Sequence, residues 1–196
     1  MKKDKSGFTI IEVVLVLAIA GLIFLMVFIA LPALQRSQRD TQRRNDVSRV
    51  ATALTQYQAN HGGNLPSGGS GFSGCSTANV NPFPTTKVPV ACQFIRDYLN
   101  PSDATENEFV DPSGAFYTVA LYGDIFEEGP LKTAITNFKT SPTDKPTYPL
   151  ASTIYIFVRA TCNGEYPEYT GNLGDTGKYA IALKLEGAGT ICIDNS

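Results

Sequence analysis

Gly7-Phe8-Thr9-Ile10-Ile11-Glu12 leads directly into 22 residues, Val13 to Leu34, that carry no charge at all. As a helix rising about 1.5 Å per residue, this run covers about 33 Å, enough to cross a hydrocarbon core of about 30 Å. It shows no polar face, so a long coiled coil is the weaker reading. A leader, residues 1–7, precedes it with Lys2, Lys3 and Lys5. Ala18-Ile19-Ala20 has the A-x-A form of a signal-peptide cleavage site, but the apolar run continues for 14 residues beyond it. A plain uncleaved anchor has no use for Glu12. A carboxylate facing mid-membrane lipid costs several kcal/mol, so Glu12 is either shallow among the headgroups or functional, with a partner to be named.

Gly7-Phe8-Thr9-Ile10-Ile11-Glu12 and the apolar helix behind it resemble the class III signal of type IV prepilins and the related pseudopilins. The resemblance implies a cut between Gly7 and Phe8 by a membrane prepilin peptidase and methylation of the new Phe8 amine, while the helix stays in the mature chain. It further implies that Phe8, Thr9 and Glu12 act in assembly, Glu12 of one subunit neutralising the Phe8 amine of the next. Within one chain the same two groups lie four residues apart, so pairing inside a chain and pairing between neighbours are both open. A negative side chain also suits a helix N-terminus.

Pro32 is the first interruption, where a missing N–H predicts a kink or local melting. In the resembling family a proline commonly stands about three residues earlier. After Leu34 the pattern changes to Arg36, Arg39, Asp40, Arg43, Arg44, Asp46 and Arg49, while Val47, Val50, Ala51, Leu54 and Tyr57 repeat at helical spacing. The helix is expected to run from Phe8 to a glycine stop at Asn60-His61-Gly62-Gly63, about 80 Å in all. The remaining domain spans about 25–35 Å by compactness scaling, so half of the helix is expected to project and to need lipid or copies of itself. The five arginines read as a solvated face bridged by pairs such as Arg36–Asp40, or as contact with lipid headgroups. DNA capture in a competence-type filament is the weaker reading.

Residues 62–91 are glycine- and proline-rich and read as a connecting loop. Gly69, Gly71 and Gly74 match G-x-G-x-x-G, yet no strand is expected before them and no helix after. No G-x-S-x-G nucleophile elbow occurs. A short helix or turn is expected over residues 92–99, a tight turn at Asp111-Pro112-Ser113-Gly114, and strands over 115–122, 153–162, 178–185 and 190–194, the last two as a hairpin. An antiparallel sheet covering Val47, Val50, Leu54 and Tyr57 would make a single α+β layer pair, a type IV pilin-like fold. The Asp111-Pro112 turn before an aromatic strand also resembles the strand entry of pilin and pseudopilin heads.

Cys75, Cys92, Cys162 and Cys192 form no C-x-x-C pair, which favours disulfides over zinc and an oxidising compartment over the cytoplasm. Three connectivities exist. Cys75–Cys92 with Cys162–Cys192 is preferred, because the first staples the glycine-rich loop and the second can bridge two strand segments.

Apolar residues make up 43% and charged residues 17% of 196, which excludes wholesale disorder. Residues 1–61 hold 8 Lys/Arg against 4 Asp/Glu, a balance of +4, and residues 62–196 hold 8 against 14, a balance of −6. An acidic head argues against nucleic acid as the main partner. With His61 as the single histidine, no catalytic constellation emerges, and Asp175-Thr-Gly177 stands alone without a second aspartate motif. No metal or other cofactor is expected. Calcium, which the resemblance allows, would have to use scattered acids such as Glu127, Glu128, Asp175 and Asp194, which lack EF-hand spacing.

The organisation read from these features is a leader at 1–7, a membrane or filament-core helix at 8–34, its amphipathic continuation at 35–61, and an α+β head at 62–196. The resemblance implies a non-enzymatic pilin. It would be anchored once in the cytoplasmic membrane with its head outside, then built into a cell-surface filament with copies of itself or other pilins by inner-membrane assembly machinery. A pseudopilin of a type II secretion or competence system is the alternative; a membrane-tethered extracellular binding protein or enzyme is the reading from another class.

Overall fold

The computed structural model describes residues 7–66, 72–76, 89–99, 109–123, 128–140, 152–172, 174–175, 177–187 and 189–196. The chain divides into two compact units, Met1–Gln38 and Arg39–Ser196.

In the first unit the apolar run forms the start of helix α1, Ile10–Asn60. Of residues 7–38, only Ala20 is even partly covered, and Phe8 is 90% exposed. The helix can cross a membrane by length and composition. Pro32 lies inside α1, which is continuous through it, so the melting expected there is absent. The local cost is the hydrogen bond that the Phe28 carbonyl cannot receive.

The second unit is built on a five-stranded sheet in the order β1-β2-β3-β6-β7, with a two-stranded hairpin β4-β5 beside it. The strands are β1 (Phe72–Ser76), β2 (Thr118–Tyr122), β3 (Thr153–Val158), β4 (Ala160–Asn163), β5 (Tyr166–Tyr169), β6 (Tyr179–Lys184) and β7 (Thr190–Asp194). Alternation sorts their side chains onto two faces. Val119, Leu121, Ile154, Ile156, Ile181 and Leu183 face one cluster with Val47, Val50 and Leu54 of α1, and Tyr57 packs against it half-buried. Helix α2 (Val90–Phe94), continued by a wider turn over Ile95–Leu99, adds Phe94, Ile95 and Leu99 to the same cluster.

The other face is covered as well, which corrects the expectation of a single layer pair. Helix α3 (Glu128–Thr140) places Leu131, Ile135 and Phe138 over Phe157, Ala160, Ala180 and Ala182. The spacing i, i+4, i+7 gives α3 the one apolar stripe it needs to lie on a sheet. Its presence also explains why β2 and β3 are parallel and not antiparallel. Parallel neighbours require a crossover, and the connection that contains α3 supplies it. The other pairings, β1–β2, β3–β6, β6–β7 and β4–β5, are antiparallel.

Two further expectations change. The stretch 153–162 is two strands, because Arg159 takes φ 57° between them. Its N–H donates to the Lys178 carbonyl at 2.7 Å and its carbonyl accepts from Thr170 N–H at 3.0 Å, which swings the chain out of the main sheet into the hairpin. Within the expected loop, residues 72–76 form β1, and Gly74 pairs with Ala120. Gly69 and Gly71 lie outside the described residues. Cys75 is bonded to Cys92, joining β1 to α2, and Cys162 is bonded to Cys192, joining the hairpin to β7.

Closing a loop of 30 residues, the Cys162–Cys192 bond contributes about 3.6 kcal/mol in the chain-entropy treatment. Replacing both cysteines with serine should lower the unfolding free energy of the chain by about that amount, read from denaturant midpoints, and should raise amide exchange first in β4 and β5.

Candidate functional site

At the start of α1, Thr9 precedes the first helical residue and Glu12 stands three places later, the spacing of a capping box. The backbone N–H and the hydroxyl of Thr9 both donate to Glu12 Oε2, each at 2.8 Å. In return Glu12 N–H approaches Thr9 Oγ1 at 3.4 Å. The structure therefore brings Thr9 and Glu12 together directly. Phe8 projects into the open, and a methyl group added at Gly7 would meet nothing within 4 Å. Neither crowding nor a left-handed backbone explains glycine at position 7.

A second polar constellation lies in the head section of α1. Arg43 has no exposed surface, although the sequence placed it on a solvated face. Its Nε and Nη2 donate to the two oxygens of Asp111 at 2.6 and 2.8 Å, the bidentate geometry for which guanidinium is shaped. Nη2 also donates to Glu186 at 2.7 Å and Nη1 to Asp40 at 3.2 Å. Asp40 is not bridged to Arg36. It accepts the N–H groups of Glu186 and Gly187 at 3.1 and 3.0 Å. A Cβ at position 187 would lie 2.9 Å from Asp40 Oδ2, so the glycine there lets the turn approach the helix.

Arg39 donates to Glu186 at 2.8 Å, while Arg49 donates to the Leu99 carbonyl at 2.9 Å and lies over the Phe109 ring. Three of the five arginines thus tie α1 to turns of the head, and Arg36 and Arg44 are exposed. Asp111, Tyr117 and Glu186 were not singled out as partners, since pairs more than 60 residues apart leave no local spacing signal.

Burial works against charge on Arg43, but the hydrogen bonds to Asp111 and Glu186 outweigh it and hold the guanidinium above its ordinary pKa. Burial likewise raises Asp111, and the bonds from Arg43 and Ser113 overcome it, leaving its carboxyl below the ordinary range. Glu186 is lowered chiefly by its bond from Arg39. Asp46 differs. Burial raises its pKa despite the 2.8 Å bond it accepts from the Tyr117 hydroxyl.

The remaining candidate acids have local duties. Asp194 accepts from Cys162 N–H and from the Ser196 hydroxyl, and Asp175 lies 3.8 Å from Lys178. His61 stacks on Tyr57 with ring centres 3.8 Å apart. Among the described residues no three His, Cys, Asp or Glu side chains form a group that could hold a metal ion. Glu127 and the side chain of Glu128 lie outside the described residues.

Residues 2–28 match the family model described as the prokaryotic N-terminal methylation motif. The match is confined to this N-terminal segment, and a motif of this kind is the class III signal found in type IV pilins and prepilins, which supports a pilin-like or pseudopilin reading. Neither the curated proteins nor the solved structures compared with the chain give a match.

Removing one member of a buried pair leaves the other charge uncompensated, so Arg43→Ala should cost about 3–5 kcal/mol in urea unfolding at neutral pH. The Asp111 contribution has a defined sign. Its folded pKa is depressed, so the contribution is complete above the unfolded aspartate value of about 3.9 and is lost as pH falls through the lower folded value. Asp111→Asn should be less stable at pH 6 and lose less than the parent on acidification through this window, as followed by circular dichroism.

Proposed function

We propose that this chain is a pilin, a structural subunit of a type IV pilus or pilus-like filament. The observation that carries the reading is the exposed apolar stretch of α1, most of which lies within the methylation motif at residues 2–28, with Glu12 as its one acid. A membrane-spanning helix that is never extracted would not need that acid, and burying it without a partner costs several kcal/mol.

In this reading the prepilin peptidase cuts between Gly7 and Phe8 and the Phe8 amine is methylated. Residues 8–34 then hold the chain in the cytoplasmic membrane, with the head outside, where its disulfides are stable. Inner-membrane machinery draws subunits out, and the apolar helix exchanges lipid for the helices of its neighbours in a cell-surface filament. Glu12 of one subunit meets the Phe8 amine of another, which sets the step between them. The charged section after Leu34 contributes through the head, because Arg39, Arg43 and Arg49 are engaged there. Neither cofactor nor catalytic step is part of the proposal.

The same motif serves pseudopilins of secretion and competence systems, and filament length in cells separates the two readings. The mature chain isolated from its native envelope should lack residues 1–7 and carry one methyl group on Phe8, by intact-mass measurement with fragmentation. A chain retaining its leader, or cut after Ala20, would overturn the reading. Glu12→Ala should insert and be cleaved but yield at least tenfold less filament in sheared fractions, given the several kcal/mol at stake.

A further inference from the structure

Asn163 is the only asparagine of the chain that is followed by glycine. The two residues stand at the tip of the β4–β5 hairpin. Asn163 pairs with Tyr166 there, and Gly164 takes φ 63° at the first position of the two-residue turn, where such turns call for glycine. Asn163, Gly164 and Glu165 are exposed, and nothing lies within 4 Å of the place a Cβ would occupy on Gly164. The Gly164 N–H donates no backbone hydrogen bond among the described residues. Asn163 Nδ2 donates across the hairpin to Glu168 Oε2 at 2.8 Å.

We propose that Asn163 is a site of spontaneous covalent modification, converted to aspartate and isoaspartate through a cyclic imide with Gly164, and that Glu168 restrains the reaction. In the first step the Gly164 nitrogen gives its proton to water and bonds to Asn163 Cγ. The Cγ–Nδ2 bond breaks, and Nδ2 leaves as ammonia with a proton from water. Water then adds to one of the two imide carbonyl carbons, and the bond from that carbon to the Gly164 nitrogen breaks. Opening at Cγ gives aspartate; opening at the main-chain carbon gives isoaspartate. Water is the sole co-reactant, and nothing is oxidised or reduced.

Glycine favours the first step because no side chain shields its nitrogen. The folded hairpin opposes it. Ring closure requires Asn163 to leave its strand conformation, and the departing nitrogen must give up its bond to Glu168, so the step proceeds when the tip frays. The product carries a carboxylate where a donor to Glu168 stood, beside Glu165 as well. Like charges then face each other across the ladder, and the tip pairs less well. None of this depends on the filament reading.

The test incubates the full chain in detergent at mildly alkaline pH. Acidic species are followed by anion exchange, and residues are assigned by peptide mapping with fragmentation that separates isoaspartate from aspartate. Conversion should appear at residue 163 before any at Asn45 or Asn137, which lie inside α1 and α3, where the N–H that follows each is spent on the helix ladder. Glu168→Ala should speed conversion about threefold, as removal of one exposed hydrogen bond of modest net strength would give. Glu168→Gln keeps an acceptor oxygen and should stay closer to the parent. An Asn163 that outlasts Asn45 or Asn137 overturns the site. A parental rate in Glu168→Ala overturns the restraint, and so does an acceleration accompanied by a lowered unfolding midpoint, which assigns it to loss of the fold.

Discussion

The apolar surface of α1 must be removed from water, and this requirement orders everything else about the chain. Nineteen large apolar side chains from Phe8 to Leu34 are exposed. At about 1.5–3 kcal/mol for each on full burial, their transfer amounts to some tens of kcal/mol. That exceeds the 5–15 kcal/mol by which a whole domain is ordinarily stable. In the proposed reading this surface is covered by lipid and then by the same surface on other chains. Glu12 acquires its meaning in this setting. In water a carboxylate there would be unremarked, whereas in the proposed filament, among apolar side chains, it would be the one group able to distinguish one axial position from another.

The head solves a different problem, which is to fix α1 against a sheet and two turns. Packing of Val47, Val50 and Leu54 supplies the apolar contact, but aliphatic surfaces slide. Arg43 restricts the sliding. It reaches Asp111 in one turn and Glu186 in another, and each of those contacts requires one orientation of the guanidinium. Buried ion clusters contribute little net stability against an apolar replacement, so the specificity of register is their more plausible benefit. Asp40 completes the arrangement by accepting two backbone N–H groups from the 186–187 turn.

The helix was legible because its signals are local: an unbroken apolar run, then a repeat of Val47, Val50, Leu54 and Tyr57 ending at glycines. The strands at 118–122, 179–184 and 190–194 were legible for the same reason. Helix α3 was not read; Pro130 falls in its first turn, where its missing N–H costs nothing. The break at Arg159 was hidden because arginine seldom takes a positive φ, and composition alone gives no sign that it does so here. At the N-terminus the sequence pointed to Phe8, Thr9 and Glu12, and the structure adds the hydrogen bonds by which Thr9 engages Glu12. The charge cluster was half legible. The arginines were conspicuous, but their partners lie 68 and 143 residues away.

The parallel pairing of β2 with β3 bears on how the head comes to be folded. Val119 pairs with Ile154 and Leu121 with Ile156, partners far apart along the chain. Contacts this distant in sequence are entropically expensive to close and slow the search for the native topology. Until they form, unpaired strand edges stay open to proteases and to one another. Bridges closing spans of 17 and 30 residues restrict the unfolded chain and so stabilise the end point of that search.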